Sequence, residues 1–217
     1  MVSYPLSALR SSAGIGRIIV CAQQPGDLAE AVADGMDVEL RVSEGSIART
    51  VDGVLRALGG PLLVTTADHV LLTPAMIDNF LQEARGCDLA IAMVERRTMR
   101  RAGLDSRRTW LPFRGGQWSG ANLFWLNGPE SLPLVRFWSE IEQERKKGRK
   151  IIAAFGPVLA LSAALRLAGI HSLVRRAGRR FGLEARVVAM PQGEACIDAD
   201  KPADIALIER LLAERAA

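Results

Sequence analysis

The 217-residue sequence is poor in histidine, cysteine and tyrosine, of which it has two, three and one. The cysteines lie far apart at Cys21, Cys87 and Cys196, an odd number that suggests neither a disulfide framework nor a CxxC zinc site. His69 and His171 leave a hydrolase triad few bases to choose from. The first residues also lack the basic and apolar regions of a signal peptide. We therefore expect a cytoplasmic protein.

The composition favours one globular domain, residues 1–217, because 49% hydrophobic residues are ample for a sizeable core. A net charge of +4 and a pI near 9.3 favour an anionic ligand or surface without naming it. Nucleotides, phosphate esters, nucleic acid and anionic lipid all stay open at this point.

Strand and helix patterns alternate through the first 95 residues. Apolar, β-branched runs predict strands at 17–22, 38–42, from 61, and at 88–95. Caps and apolar spacing predict helices at 4–12, 27–35, 46–60 and 74–86. Strands that alternate with helices form parallel βαβ units. The sequence thus predicts an α/β fold of three layers around a mostly parallel, doubly wound sheet.

The pattern changes after residue 95. An arginine-rich segment at 96–114 leads into GGQWSGANLFWLN at 115–127, which we interpret as a glycine-broken loop entering a strand. Residues 96–180 then form our predicted insertion, an acceptor loop followed by a helical lid with helices at about 130–147 and 150–180. A late strand at 185–190 and a final helix near Pro202 end the predicted order.

Three acidic residues are candidates for chemistry at the edge of the sheet. Asp68 follows an apolar strand, and Asp198 and Asp200 precede the last helix. Acids at the ends of separate strands can converge on one magnesium ion, which prefers one or two carboxylates with waters and phosphate oxygens. Capping of a turn or a helix explains these residues equally well from local sequence.

A resemblance favours the first interpretation. The segments TTADHVLLTPAMIDNFL, GANLFWL and IDADKPADIALIERLL, in this order, resemble the MobA-like nucleotidyltransferases. The likeness runs from PLSALRSSAGIGRIIV to the end of the chain. It implies the nucleotide-diphospho-sugar transferase type of fold and transfer of a nucleoside monophosphate from a nucleoside triphosphate to a phosphorylated acceptor, with release of pyrophosphate.

The same resemblance implies roles for individual residues. It makes Asp68 and Asp200 the catalytic pair and magnesium ligands, with Asp198 as a possible further ligand, whereas Asp204 lies in the helix and stabilises its first turn. Magnesium and basic side chains would then carry most of the catalysis, because in-line displacement at phosphorus needs no covalent enzyme group.

Contacts to the nucleotide and the acceptor are expected nearby. Thr50, with Gly45 in the preceding turn, resembles a nucleotide-contacting position, although an ordinary helical threonine is at least as probable. In the predicted acceptor loop, Asn122 would be a polar contact. Trp118 would be a lid or stacking group, or a plain loop tryptophan.

One departure from the family is large. The family's first strand and its glycine-rich turn, which hold the triphosphate, have no counterpart here. Either the start has been assigned too late, which we favour, or the domain is truncated with impaired catalysis. In both cases the sheet would lack its central first strand and leave apolar strand edges bare.

Two other functions compete with the enzyme. The apolar stretch 151–170, within a basic region at 146–180, could rest on an anionic membrane as a peripheral contact. The arginines of 96–114 could bind nucleic acid, but no recognised motif accompanies them, so we expect no nucleic-acid partner. A non-catalytic nucleotide-binding module is the general alternative.

Overall fold

A computed structural model of the chain describes residues 1–32, 38–106, 108–143 and 167–216. The helices there are α1 (Ser3–Ser11), α2 (Ala29–Val32), α3 (Ile47–Leu58), α4 (Pro74–Ala84), α5 (Arg96–Arg101), α6 (Leu132–Gln143), α7 (Ile170–Arg179) and α8 (Pro202–Ala216). The strands are β1 (Ile18–Ala22), β2 (Val38–Val42), β3 (Leu62–Thr65), β4 (Leu89–Glu95), β5 (Leu111–Phe113), β6 (Gly116–Leu126) and β7 (Ala185–Ala189). Short 3₁₀ turns lie at Pro25–Leu28, Pro129–Ser131 and Gly193–Cys196.

The described strands form two sheets. β1 and β2 pair in parallel. The larger sheet has the order β3-β6-β4-β7, with β5 added to β6. There β6 runs antiparallel to both of its long neighbours, whereas β4 and β7 are parallel. This is the expected α/β architecture with a mixed sheet, and in the described residues no strand lies between β1 and β3.

Helices cover both faces of the larger sheet. On one face α1, α4 and α8 enclose the main core, whose largest fully buried side chain is Phe80. On the other face α3, α6 and α7 pack around a second cluster that includes Val51, Leu55 and Val135. The predicted three layers are therefore present.

Capping signals in the sequence set two helix boundaries correctly. Ser46 caps α3 by accepting a hydrogen bond from the Arg49 amide at 3.3 Å, and Gly59 ends that helix with a left-handed φ of 76°. Thr73 caps α4 in the same way, with Pro74 at the first helical position.

The prediction of a loop at the start of 115–127 is wrong. Residues 116–126 form the long strand β6, which holds a place in the sheet between β3 and β4. The glycines misled the prediction, because pairing on both sides outweighs their weak strand preference. Of the predicted helix at 150–180, the described part that is helical is 170–179. Residues 144–166, which include parts of both predicted helices, lie outside the described residues.

Within the described ranges, no helix has the length and apolar character needed to cross a bilayer.

Candidate active site at the carboxyl edge of the sheet

Two loops meet beyond the end of β3. The first follows Thr65 and contains Asp68, and the second runs from the 3₁₀ turn at 193–196 to α8 and contains Asp198 and Asp200. The Ala199 amide donates a hydrogen bond to the Asp68 carbonyl oxygen at 3.0 Å. The fold thus brings together two loops that are more than a hundred positions apart in the sequence.

Asp198 is a buried acid whose oxygens are already bound. The two terminal nitrogens of Arg108 donate to its two oxygens, at 2.5 and 2.8 Å. Asn122 Nδ2 also donates to Asp198 Oδ2 at 3.1 Å. A two-pronged arginine contact of this kind fixes both side chains more firmly than a single hydrogen bond would.

The electrostatics agree with this arrangement. Burial would raise the pKa of Asp198, but the hydrogen bonds and charge of Arg108, with the contact from Asn122, lower the pKa below its usual value. Asp198 is therefore an ionised, internally paired carboxylate.

Asn122 reaches Asp198 through an unusual backbone conformation. Its φ of 47° lies in the left-handed region, which asparagine tolerates better than most residues. It lies where the register between β6 and β4 shifts, between the pairs Ile91–Phe124 and Met93–Gly120. Such irregularities redirect side chains near functional sites.

Asp68 and Asp200 are the accessible acids of the site. Asp68 is partly exposed and accepts a hydrogen bond from the Thr66 hydroxyl. Asp200 is exposed, and the negative charge of Asp198, with smaller contributions from desolvation and from Asp68, raises its pKa. The clustered acids therefore repel one another, and a cation between them would relieve that repulsion.

These side chains fit magnesium only in its common mode of binding, in which few of the ligands come from the protein. The described residues contain no group of three or more His, Cys, Asp or Glu arranged to hold a metal ion. Magnesium is often bound through one or two carboxylates, with waters and phosphate oxygens completing the shell. Asp68 and Asp200 can supply those carboxylates, whereas Arg108 occupies Asp198 in this conformation.

His69, the residue after Asp68, has a buried side chain. It is 1% exposed, its Nδ1 lies 3.4 Å from the Thr65 hydroxyl, and its Nε2 has no protein partner in the described structure. Burial lowers its pKa to about 4, so the ring is neutral at pH 7. Its lack of charge argues against a role as a phosphate-binding cation.

A long cleft opens beside these acids, between the small sheet and β3. Its volume is about 1180 Å³, and its polar end contains Gln23, Ser43, Gly45, Thr50 and Thr66. Gly45 has a left-handed φ of 81°, which suits glycine at this turn.

The Thr50 side chain within the cleft is already hydrogen-bonded. Its hydroxyl donates to the Ser46 carbonyl oxygen at 2.8 Å and accepts from the Glu44 amide at 2.9 Å. That bonding matches the alternative of an ordinary helical threonine, although the residue still lines the cleft.

Sequence reasoning missed Arg108 and left the role of Trp118 open. Arg108 was one of many arginines in 96–114, and no local signal reveals a partner 90 positions away. Trp118, expected as a lid or stacking group or as a plain loop tryptophan, is 8% exposed and packs with Met93, Ile170 and Val187. Its ring meets His171 edge-on at 5.4 Å, so it belongs to the core.

No family model matches the chain, and no curated protein matches it. Several solved structures do match the chain. A hypothetical transferase from Thermus thermophilus aligns over 94% of this chain and 85% of its own, with 25% identity and a TM-score of 0.78.

Two more distant structures agree in fold. A CMP:2-keto-3-deoxy-manno-octonic acid synthetase complexed with CTP is 13% identical, with a TM-score of 0.60, over 99% of this chain and 88% of its own. A 4-diphosphocytidyl-2C-methyl-D-erythritol synthase from Anaerococcus prevotii is 9% identical, with a TM-score of 0.62, over 97% and 85%. The chain therefore shares the α/β fold of these solved structures, one of which is named a transferase and the others a synthetase and a synthase.

Proposed function

We propose that this protein is a magnesium-dependent nucleotidyltransferase that moves a nucleoside monophosphate from a nucleoside triphosphate to a phosphorylated acceptor. The observation that carries the proposal is that the loops of two accessible acids, Asp68 and Asp200, meet at the edge of the sheet, next to a large cleft whose lining includes Thr66 and Ala67. The fold shared with a CTP-bound synthetase supports a nucleotide as the occupant of that cleft. The finer assignment to the MobA-like group rests on the sequence motifs.

The reaction exchanges one bond at phosphorus for another. An oxygen of the acceptor phosphate attacks the α-phosphorus of the triphosphate, a new O–P bond forms, and the bond to the bridging oxygen breaks as pyrophosphate leaves. The protein needs to position the two reactants and balance their charge, since no covalent intermediate is required.

Asp68 and Asp200 are the proposed ligands of the magnesium ion. When bound, magnesium neutralises phosphate oxygens and stabilises the charge that develops on the leaving group. The two carboxylates are suited to this because they lie at one edge and neither is held by an arginine in the described structure.

Asp198 has a different proposed role. It orients Arg108 and Asn122, which stay hydrogen-bonded to it on one side of the site. Asn122 then offers its unused amide hydrogen-bonding groups to the acceptor, while the paired Arg108 keeps Asp198 ionised.

We place the nucleotide at the polar end of the cleft. Gly45 leaves its turn open, since a side chain there would meet no other atom within 4 Å, and the adjacent Thr50 fixes the turn through the Glu44 amide. Thr50 is therefore proposed to shape the nucleotide site through the backbone as well as to line it.

Thermal unfolding with nucleotides tests this proposal. The four nucleoside triphosphates, each with and without magnesium, are added to the wild type, Asp68→Asn, Asp200→Asn and the control Glu209→Gln, which alters an exposed acid on α8. We expect one triphosphate to raise the Tm of the wild type and the control only with magnesium, and to lose this effect in the two site variants.

The opposite results would redirect the interpretation. Stabilisation that does not need magnesium and survives both substitutions would favour a non-catalytic nucleotide-binding module. Salt-sensitive binding to random oligonucleotides or anionic vesicles, with no effect of any triphosphate, would favour a basic nucleic-acid or membrane module.

A further inference from the structure

A second pocket lies beside the amino end of β7. Its volume is about 610 Å³, within the usual range of about 300–1,000 Å³ for small-molecule sites. Its lining comes from Cys87 ahead of β4, from one side of α7, and from residues 182–187 in the turn before β7 and in β7 itself. The pocket therefore has the size of a small-molecule site.

This pocket is at the opposite edge of the sheet from Asp68. β3 and β4 both pair antiparallel with β6, so they run in the same direction, and β7 is parallel to β4. Asp68 follows the carboxyl end of β3, whereas Cys87 and Ala185 lie at the amino ends of β4 and β7. The five residues of β7 separate the two edges by roughly 16 Å, at about 3.3 Å per residue. A ligand in this pocket would therefore lie outside the proposed nucleotide site.

One stripe of α7 gives the pocket a basic wall. His171, Arg175 and Arg179 all line the pocket, and their spacing of four residues places them on the same side of the helix. Arg186 and Glu184 also line it and carry opposite charges. The stripe on α7 therefore decides the sign of the charge around the pocket, which favours an anionic ligand.

Arg186 points away from that stripe. Its neighbours Ala185 and Val187 pack with Val174 of α7, and side chains alternate between the two faces of a strand. Arg186 therefore leaves β7 on the other face, where its Nη1 donates a hydrogen bond to the Glu83 carbonyl oxygen at 2.5 Å. The arginines available to a ligand are those of α7.

Arg175 and Arg179 are exposed, and their guanidinium groups have no hydrogen bond or ion pair with another described residue. Four residues of helix separate their Cα atoms by about 6 Å along the axis, so both side chains can reach one phosphate group. The planar fork of a guanidinium matches phosphate oxygens well. The buried Leu183 and Val187 line the pocket as well and offer apolar contacts to the rest of a ligand.

We propose that this pocket binds a small phosphorylated molecule, with a phosphate group held by Arg175 and Arg179. The site is separate from the cleft that holds the proposed nucleotide. The inference rests on the pocket and on its basic stripe, and it holds whether or not the protein transfers nucleotides.

Pyrophosphate tests the proposal by titration calorimetry on the full 217-residue protein. The buffer contains no magnesium, because the proposed active site holds phosphate groups through that ion. We expect one pyrophosphate to bind per chain, with the same affinity in the wild type and in Asp68→Asn. Binding that Asp68→Asn abolishes would place the ligand in the active site and overturn the proposal.

Two double substitutions remove the same charge from the same end of α7. Arg175→Gln with Arg179→Gln changes the pocket, whereas Arg176→Gln with Arg180→Gln changes exposed arginines outside its described lining. We expect the first pair to weaken pyrophosphate binding at least about tenfold, because it removes charge-assisted hydrogen bonds, and the second pair to change it less than about twofold. The second pair also controls for the favourable interaction of basic residues with a helix carboxyl end.

Arginine labelling locates the ligand without any substitution. Phenylglyoxal modifies accessible guanidinium groups, and mass spectrometry identifies the modified residues. Pyrophosphate at about ten times its Kd should slow modification of Arg175 and Arg179 about tenfold, because only about a tenth of the sites are then free. Modification of Arg176 and Arg180 should keep its rate. This arm stands even if a double variant fails to fold, which far-ultraviolet circular dichroism checks.

Three further results would overturn the proposal. Equal weakening by the two double substitutions would mean attraction by general positive charge. No binding, or binding that leaves Arg175 and Arg179 unprotected, would mean that the pocket is not the site. Random oligonucleotides or anionic vesicles that bind where pyrophosphate does not, and that both double variants weaken equally, would make the basic side of α7 a surface for macromolecules or membranes instead.

Discussion

The acids of the candidate site differ most in what holds them. Asp198 is 8% exposed and is fixed by Arg108 and Asn122, whereas Asp200, two residues later, is exposed and has a raised pKa. The two lie in the same loop and have the same carboxylate chemistry. Because their surroundings differ, Asp198 holds neighbouring side chains in place, whereas Asp200 is accessible to a ligand.

The difference shows how one acidic motif can serve two purposes. The buried side of the site, built from Asp198, Arg108 and Asn122, makes its hydrogen bonds within the protein. The open side, built from Asp68 and Asp200, has carboxylates that no basic side chain of the described structure contacts. Substitutions of Asp198 or Arg108 should mainly affect stability, and substitutions of Asp68 or Asp200 should mainly affect ligand binding.

The largest expected effect on stability follows removal of Arg108. Arg108→Ala leaves the buried carboxylate of Asp198 without its paired charge, which should lower the free energy of unfolding by about 4 kcal/mol. Urea denaturation measures this loss.

Arg56→Ala is the matched control for that measurement. Arg56 pairs with Asp52 one turn away on α3, and its side chain is 49% exposed. The loss there should be far smaller, because solvent screens the interaction of an exposed ion pair. Equal losses in the two variants would show that the Arg108–Asp198 pair contributes no more than a surface ion pair.

The next effect concerns pH and His69. Its pKa is about 4 in the folded protein and 6.5 in the unfolded chain, so the unfolded chain binds a proton first as the pH falls. Between about pH 6.5 and 4 the wild type should therefore lose about 3 kcal/mol of stability relative to His69→Gln, whose side chain does not ionise. Denaturation at a series of pH values measures the difference. Parallel pH curves for the two proteins would contradict a buried, neutral His69.

The smallest effect concerns Thr50, which lines the cleft but is hydrogen-bonded within the protein. Thr50→Val removes its hydrogen bonds to the Glu44 amide and the Ser46 carbonyl, and should cost about 1 kcal/mol of stability. Thr50→Ser keeps the hydroxyl and should behave as the wild type in thermal unfolding. If Thr50→Val instead left stability unchanged and weakened only nucleotide binding, the hydroxyl would be a ligand contact and not part of the turn.

Much of the fold follows from signals that are local in sequence. Ser46 and Gly59 set the two ends of α3. The Ser46 side chain accepts a hydrogen bond from the first turn, and Gly59 adopts the left-handed backbone that ends the helix, so neither effect needs a distant partner. The strand β6 was missed at its start because Gly116 and Gly120 lower strand preference, while the two neighbouring strands that stabilise it lie elsewhere in the sequence.

The site was only partly predictable for the same reason. Asp68 and Asp200 were predicted because a strand end and a family-like motif mark them. Arg108 was not, since its role depends on a partner 90 positions away, and nothing distinguishes it from its arginine neighbours. Asn122 was expected as a polar contact, but its left-handed backbone and its bond to Asp198 follow from the irregular pairing of β6.

Manganese binding tests the central claim most directly. Mn²⁺ substitutes for Mg²⁺, and its free concentration is measured by electron paramagnetic resonance in the presence of the triphosphate that stabilises the protein best. We expect Asp68→Asn and Asp200→Asn to weaken Mn²⁺ binding at least about tenfold, with Glu209→Gln matching the wild type. Equal Mn²⁺ affinity in all four proteins would contradict the assignment of Asp68 and Asp200 as the metal ligands.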